Sequence, residues 1–177
     1  MSIKTWEELI AGETDLADAT AVASTTTETV LFPNITVPAN YLSAGRKVRY
    51  RASGKLSTTA TPTMTWALRW GGVSGTVICT SAAITMGSGV SNVIWNVDVT
   101  ITVRSSGATG TVFVIGTVSC GSAATLINQM GSAGAATPAA VTVDLTADTA
   151  LSLTADWSAN SASNTITGMS RELEALR

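Results

Sequence analysis

The chain has 177 residues, with ten Lys and Arg against twelve Asp and Glu, and no histidine. The missing histidines exclude a catalytic histidine, a histidine-bound metal and a histidine pH switch. The net charge of −2 argues against general nucleic-acid binding, and Thr, Ser and Gly interrupt every apolar run, so we expect no membrane partner. The length suits one domain, and the 45% of hydrophobic residues can fill its core.

Charge divides the chain into segments. Residues 1–28 carry six acids and one lysine, a net of −5, whereas residues 46–69 carry six cations and no acid. This division predicts that an acidic arm meets a basic patch, either within one chain or between subunits. The alternative is that both segments are solvated faces.

The first residues predict a short helix at the start of an N-terminal arm, residues 1–28. Thr5 and Glu8 have the spacing of a capping box, and Gly12 is a suitable stop. One face of this helix would carry the apolar side chains of Ile3, Trp6, Leu9 and Ile10. Because so short a helix is unstable alone, we expect these residues to dock on a partner or on the chain's own body. The rest of the arm is predicted to be an extended linker or an added edge strand.

From residue 29 to 177 the hydrophobic period changes to two, which predicts an antiparallel β-sandwich, most consistent with a jelly roll. The predicted strands are Thr29–Val37 (broken at Pro33), Val48–Leu56, Met64–Trp70, Val93–Val103, Val112–Val118, Val141–Leu145 and Leu151–Trp157, with weaker candidates at Thr76–Met86 and Asn164–Arg171. On the longest of these, we expect Val93, Trp95, Val97, Val99, Ile101 and Val103 to face inward. Residues 121–136 predict a loop, with one helical turn at Ala123–Gln129.

Few residues carry catalytic chemistry. The sequence contains no nucleophile elbow, P-loop, dinucleotide fingerprint or calcium-loop pattern, so we expect no enzyme, no cofactor and no metal. Asp144 and Asp148 bracket a predicted turn, which favours a structural role for both over the alternative of a loop calcium site. The remaining candidate carboxylates of the body are Asp98, Asp156, Glu172 and Glu174.

Aromatic and thiol side chains favour structural roles. Trp66 and Trp70 share a face with Met64 and Leu68, so core or a subunit interface is favoured over a carbohydrate platform. Cys79 and Cys120 are too few for a disulfide framework, and two buried thiols are favoured over a disulfide.

Three stretches resemble the jelly-roll module of tailed-bacteriophage virion proteins, which recurs in head decoration, fibre and tail proteins. The likeness spans about residues 29–175 and begins in residues 31–72. The matching positions are Val37-Pro38-Ala39-Asn40, Gly45, Val48, Gly54, Ser57-Thr58, Thr61-Pro62 and Leu68, then Trp95, Arg104 and Gly107, then Trp157, Asn164-Thr165-Ile166 and Glu172.

The resemblance implies a non-enzymatic virion component and carries over no catalytic residue. Because the module is nearly the whole sequence here, a capsid decoration or cement protein on the phage head is favoured, made in the host cytoplasm. Its expected partner is the major capsid protein or another virion protein. The resemblance also implies a homotrimer. The alternatives are a receptor-binding or adhesin domain of the tail apparatus that recognises a surface glycan, and a carbohydrate-active or lectin-like module.

Overall fold

The computed structural model describes residues 8–11, 16–121, 123, 125–132 and 138–176, and for 8–11 only the backbone. Within these ranges the fold is all-β, and every strand pairing is antiparallel. The strands are β1 Glu8–Ala11, β2 Val22–Ala23, β3 Thr29–Val30, β4 Ile35–Val37, β5 Lys47–Thr58, β6 Thr63–Trp70, β7 Thr76–Ser81, β8 Ile84–Thr85, β9 Val90–Ser105, β10 Gly110–Cys120, β11 Ile127–Gly131, β12 Val141–Val143, β13 Thr149–Trp157 and β14 Thr165–Leu176. The described part of the chain contains no helix long and apolar enough to cross a membrane.

The strands form one continuous sheet that folds back on itself. Their order is β1–β14–β5–β9–β10–β11–β7–β6–β13–β3, with β2 also on β14, β4 on β13, β8 on β6 and β12 on β10. Trp66 on β6 and Trp95 on β9 are far apart in this order, yet their ring centroids lie 6.5 Å apart. The two halves of the sheet therefore pack face to face around a shared apolar core.

Buried and solvent-facing side chains alternate along the long strands. On β5 the side chains of Val48, Tyr50, Ala52 and Leu56 are buried, while the alternate residues Arg49, Arg51, Ser53 and Lys55 reach solvent. On β9 the predicted inward set is confirmed from Trp95 to Val103, all at most 2% exposed, and Val93 is half-buried near the strand's start. The period-two pattern thus places one face of each strand in the core.

An aromatic column fills the centre of the core and depends on two glycines. The ring of Phe32 meets Trp95 edge-on at 6.5 Å, and Trp95 in turn packs on Trp66. A Cβ at Gly54 would lie 2.8 Å from the Trp95 ring, and one at Gly168 would lie 2.4–2.8 Å from Phe32. Glycine at both positions lets the rings lie directly on the backbone of β5 and β14.

The predicted N-terminal helix is wrong over the residues that the structure describes. Glu8–Ala11 form strand β1, with Glu8 opposite Ala175 and Leu9 opposite Glu174 on β14. Backbone pairing with a long neighbouring strand outweighs the weak preference of a few residues for a helical turn. Residues 1–7 lie outside the described residues.

The predicted helical turn at Ala123–Gln129 is also wrong where it is described. Ala123 forms an isolated bridge to Met86, and β11 begins at Ile127. β11 pairs with β10 on one side and with β7 on the other, so it joins the two halves of the sheet. Its sequence, INQMG, lacks the alternation that identifies the other strands.

Residues 18–37, here called the strap, cover one edge of each half of the sheet. Ala19 donates its backbone N–H to Gly168 and β2 pairs with β14, whereas β3 and β4 pair with β13. The break between β3 and β4 falls at Pro33, as predicted. The strap thus closes both exposed edges with short strands, which leaves little edge for pairing with another chain.

Both thiols are buried, as predicted. Cys79 and Cys120 are free cysteines, at most 1% exposed, so neither forms a disulfide. Burial raises the pKa of the Cys79 thiol to about 12. The two residues serve as small apolar side chains of the core.

Candidate functional site

Five neighbouring strands, β14, β5, β9, β10 and β11, present one continuous solvent side, here called the outer face. Strand register arranges its side chains in rows across the sheet. One row consists of Glu172, Arg51, Asp98, Thr117 and Gln129. The next consists of Glu174, Arg49, Thr100, Ile115 and Gly131. Charge therefore lies on the side of β14 and β5, and hydroxyl and apolar groups lie on the side of β10.

Ion pairs connect the charged part of the outer face. Arg49 donates from Nε to Oδ1 of Asp98 at 2.8 Å and from Nη2 to Oδ2. Arg51 contacts Glu172 and donates from Nη2 to Glu174 at 2.9 Å. These side chains are between 16% and 40% exposed, so the pairs orient one another more than they stabilise the fold.

The structure brings together three of the candidate carboxylates, Asp98, Glu172 and Glu174. Asp98 and Glu172 both line a depression of about 370 Å³ on the outer face. The hydrogen bonds from Arg49 hold the pKa of Asp98 below its usual value. A glycosidase needs one carboxyl group with a raised pKa as its general acid, and Asp98 is shifted in the opposite direction. The lowered pKa keeps Asp98 ionised as the acceptor of the Arg49 hydrogen bonds.

The other candidate acids lie elsewhere. Asp144 accepts bonds from the backbone N–H of Thr146 at 2.8 Å and from its hydroxyl at 2.6 Å, and these bonds lower its pKa. Asp148 accepts the backbone N–H of Ala39 at 2.8 Å. The structural role predicted for both residues is confirmed. Asp156 lies on β13, opposite Thr65.

The described tryptophans are core residues. Trp66, Trp95 and Trp157 are at most 2% exposed, and Trp70 is 6% exposed with its indole N–H donated to the carbonyl of Asp144. The prediction that Trp66 and Trp70 belong to the core or an interface is confirmed for the core. No described tryptophan therefore offers a stacking platform for a sugar.

Acidic residues of the N-terminal segment meet the basic segment within the chain. Asp18 accepts from Nζ of Lys55 at 2.8 Å, and Glu28 accepts from Nε of Arg69 at 2.6 Å. The first pair ties the strap to β5 and the second ties it to β6. The acidic segment and the basic segment seen in the sequence therefore meet, at these two pairs, within one chain.

The predicted docking residues Ile3, Trp6, Leu9 and Ile10 are brought together only in part. Leu9 and Ile10 belong to β1 at the edge of β14, while Ile3 and Trp6 lie outside the described residues. Since β1 is extended, the shared helical face on which the docking prediction rested does not exist over residues 8–11.

The exposed apolar side chains of the outer face were not predicted from the sequence. Ile94, Ile115 and Ile127 are 66%, 49% and 64% exposed, on β9, β10 and β11 respectively. Leu126, which precedes β11, is 63% exposed. The signal was present for Ile94 and Ile115, because both occupy outward positions in strands whose alternate residues are apolar. Exposed apolar side chains on one surface are typical of a protein contact site.

A groove of about 740 Å³ crosses the outer face on β9, β10 and β11, and of the exposed apolar residues named above, Ile115 lines it. Six side chains form its floor and one end: Lys47, Thr100, Thr102, Arg104, Phe113 and Ile115. Among the described residues there is no cluster of three or more potential metal ligands, in the groove or elsewhere.

Comparison with known proteins gives one structural likeness. No protein-family model matches the sequence, and no curated protein matches it. Among solved structures, the chain is similar to the CBM2 module of the evolved Dit of Lactobacillus casei BL23 phage J-1. That similarity has a TM-score of 0.42 and 10% sequence identity, and it covers 97% of each chain.

Proposed function

We propose that the protein is a non-enzymatic structural component of a tailed-phage particle, a capsid decoration protein that binds the head shell and stabilises it. The observation that carries the proposal is the outer face, a broad sheet surface with exposed Ile94, Ile115 and Ile127 beside a ladder of ion pairs. Such a combination of apolar side chains and oriented charge suits contact with another protein surface.

The phage context comes from the sequence resemblance, and its motif residues have definite structural roles. Asn40 and Gly45 adopt positive φ angles of 58° and 86° in the loop that leads into β5. Gly54 supports Trp95, and Trp157 is buried in the core. These residues define the path of the chain. Their roles support a jelly-roll-like fold shared with the module of tailed-phage virion proteins that the sequence resembles.

The partner in this proposal is the major capsid protein, and the location is the outer surface of the head. The homotrimer implied by the resemblance belongs to the same proposal. We do not favour the adhesin alternative, because the described tryptophans that a glycan platform would use are in the core.

The proposal keeps a docking role for two N-terminal residues, although the predicted helix is wrong over the described residues. β1 holds Leu9 and Ile10 beside β14, at the edge of the outer face. We propose that Ile3 and Trp6 bury their side chains in the shell, as anchors worth roughly 1.5–3 kcal/mol each when buried completely.

Binding to purified heads that lack the protein tests this function. We expect the full chain to co-sediment with the heads at saturable stoichiometry and to raise their resistance to heat. A deletion of residues 1–7 keeps β1 and should remain folded but bind more weakly, whereas Val73→Ala, in the turn between β6 and β7 and outside the outer face, should bind normally. Failure of the full chain to bind heads contradicts the decoration function. Normal binding by the deletion contradicts only the anchor role of Ile3 and Trp6.

A further inference from the structure

The groove on β9, β10 and β11 contains two cations at one end. Lys47 on β5 lies opposite Thr102 on β9, and Arg104 follows two residues later on the same face of β9. Both side chains are exposed, and neither forms an ion pair with another described residue. By contrast, Arg49, Arg51, Lys55 and Arg69 all have acidic partners. The basic end of the groove is therefore open to an acidic ligand.

The rest of the groove is apolar and hydroxylic. Arg104 lies over the ring of Phe113, with 5.3 Å from its guanidinium carbon to the ring centroid, which holds this cation beside the groove floor. Ile115 on β10 lies opposite Thr100 on β9, and its side chain is half exposed. Asp98 also lines the groove, but its carboxylate is bound by Arg49, so it adds little repulsion toward an incoming acid.

We propose that this groove binds an acidic polypeptide segment that also carries apolar side chains. The carboxylates would contact Lys47 and Arg104, and an apolar side chain would pack on Phe113 and Ile115. This proposal rests on the proposed function, because it names the chemistry of the shell segment that the outer face receives. Charge complementarity selects the segment and fixes its position, while the apolar contact supplies most of the affinity.

The same observations favour a polypeptide over a nucleic acid. A phosphate backbone is bound by a long track of cations, with affinity that depends on how many phosphates are neutralised. Among the described residues that line this groove, two are cations, and the others include hydroxyl side chains as well as Phe113 and Ile115. One or two carboxylates and a hydrophobic side chain therefore fit it better.

A peptide titration tests the ligand chemistry without the particle. The probe is a blocked hexapeptide of alternating aspartate and leucine, and the matched probe has lysine in place of aspartate. We expect the acidic peptide to bind the full chain and to shift the amide resonances of Thr100, Thr102 and Ile115. The Lys47→Gln/Arg104→Gln double variant should weaken binding at least about tenfold, as the loss of two charge contacts implies. Lys55→Gln, on the same strand as Lys47 but outside the groove, is the control for a lost positive charge and should bind normally.

Absence of binding by the acidic peptide, equal binding of the lysine peptide, or an unchanged affinity of the double variant would each overturn the proposal. Particle binding separates it from the proposed function. If heads bind the double variant as tightly as the wild-type chain, the groove assignment is wrong and decoration stands. If heads bind neither chain while the peptide results hold, decoration is wrong and the preference of the groove for acidic peptides stands.

Discussion

Glu28 and Arg69 form a two-point ion pair that fastens the strap to β6. Arg69 donates from Nε to Oε1 of Glu28 at 2.6 Å and from Nη2 to Oε2, and Oε1 also accepts the hydroxyl of Thr154 on β13. Both charged side chains are at most 25% exposed. One carboxylate thus joins the strap to two neighbouring strands of the sheet.

Replacing Glu28 by glutamine should lower the free energy of unfolding by about 1–2 kcal/mol, because charge-assisted hydrogen bonds at a half-buried site become weaker. Asp18→Asn is the matched control, since the Asp18–Lys55 pair is more exposed and should contribute less than about 0.5 kcal/mol. Urea unfolding at pH 7 measures both losses. Equal losses of unfolding free energy in the two variants would contradict a larger contribution from the more buried Glu28 pair.

Stability should be nearly constant from about pH 5.5 to 8 and fall in acid. The pKa of Glu28 is lowered, because the bonds from Arg69 and Thr154 together outweigh its burial, and the pKa of Asp98 is lowered by Arg49. Carboxylates with a lowered pKa stabilise the fold fully above their unfolded values, about 4.3 for Glu and 3.9 for Asp, and lose that contribution as the pH falls toward the folded values. No histidine titrates near neutrality. Denaturant unfolding between pH 2.5 and 8 checks this profile, and Glu28→Gln should flatten its acid limb. An equally steep acid limb in that variant would remove Glu28 from the explanation.

Gly54→Ala should be among the most destabilising single-methyl additions, at about 2–4 kcal/mol. The added Cβ would lie 2.0 Å from the carbonyl oxygen of Thr167 and 2.8 Å from the Trp95 ring, so both β14 and the aromatic column must shift. Ser53→Ala, one residue earlier on the outer face, should change stability by no more than about 0.5 kcal/mol. Thermal unfolding followed by tryptophan fluorescence distinguishes the two variants. A stable Gly54→Ala protein with unchanged fluorescence is incompatible with the close packing described.

Both cysteines should be unreactive in the folded chain. Burial raises the pKa of Cys79 to about 12, so almost no thiolate forms at pH 8, and Cys120 is 1% exposed. A thiol reagent such as Ellman's reagent should find about zero thiols in the native protein and two after denaturation without reductant. Fast labelling of the native chain would contradict the burial, and no labelling after denaturation would indicate a disulfide.

The long strands could be predicted because their burial repeats along the sequence itself. Alternation between Val48 and Leu56, or between Trp95 and Val103, needs no knowledge of the neighbouring strand. β1 and β11 could not be predicted in this way, because each is defined by its partners. β1 exists through its pairing with β14, about 165 residues later in the chain, and β11 through β10 and β7.

The ion pairs of the outer face could not be predicted from the sequence for the same reason. The sequence identified the cations near residue 50 and the acids Asp98, Glu172 and Glu174 as separate features. Register decides that Arg51 lies between Glu172 and Asp98, and register depends on the hydrogen bonds of all three strands. The groove was missed for the same reason, since Lys47, Arg104 and Phe113 come from three strands.

The position of β14 in the sheet limits the order in which the strands can pair during synthesis. Of the fourteen strands, β14 is the last to leave the ribosome, yet it lies between β5 on one side and β1 and β2 on the other. Until it emerges, the nascent chain exposes the edge of β5, and β1 and β2 have no strand on which to pair. Non-local pairings of this kind are slow to form and leave open edges during synthesis. β1 and β2, although made before β14, are therefore among the last of the described strands to reach their native places.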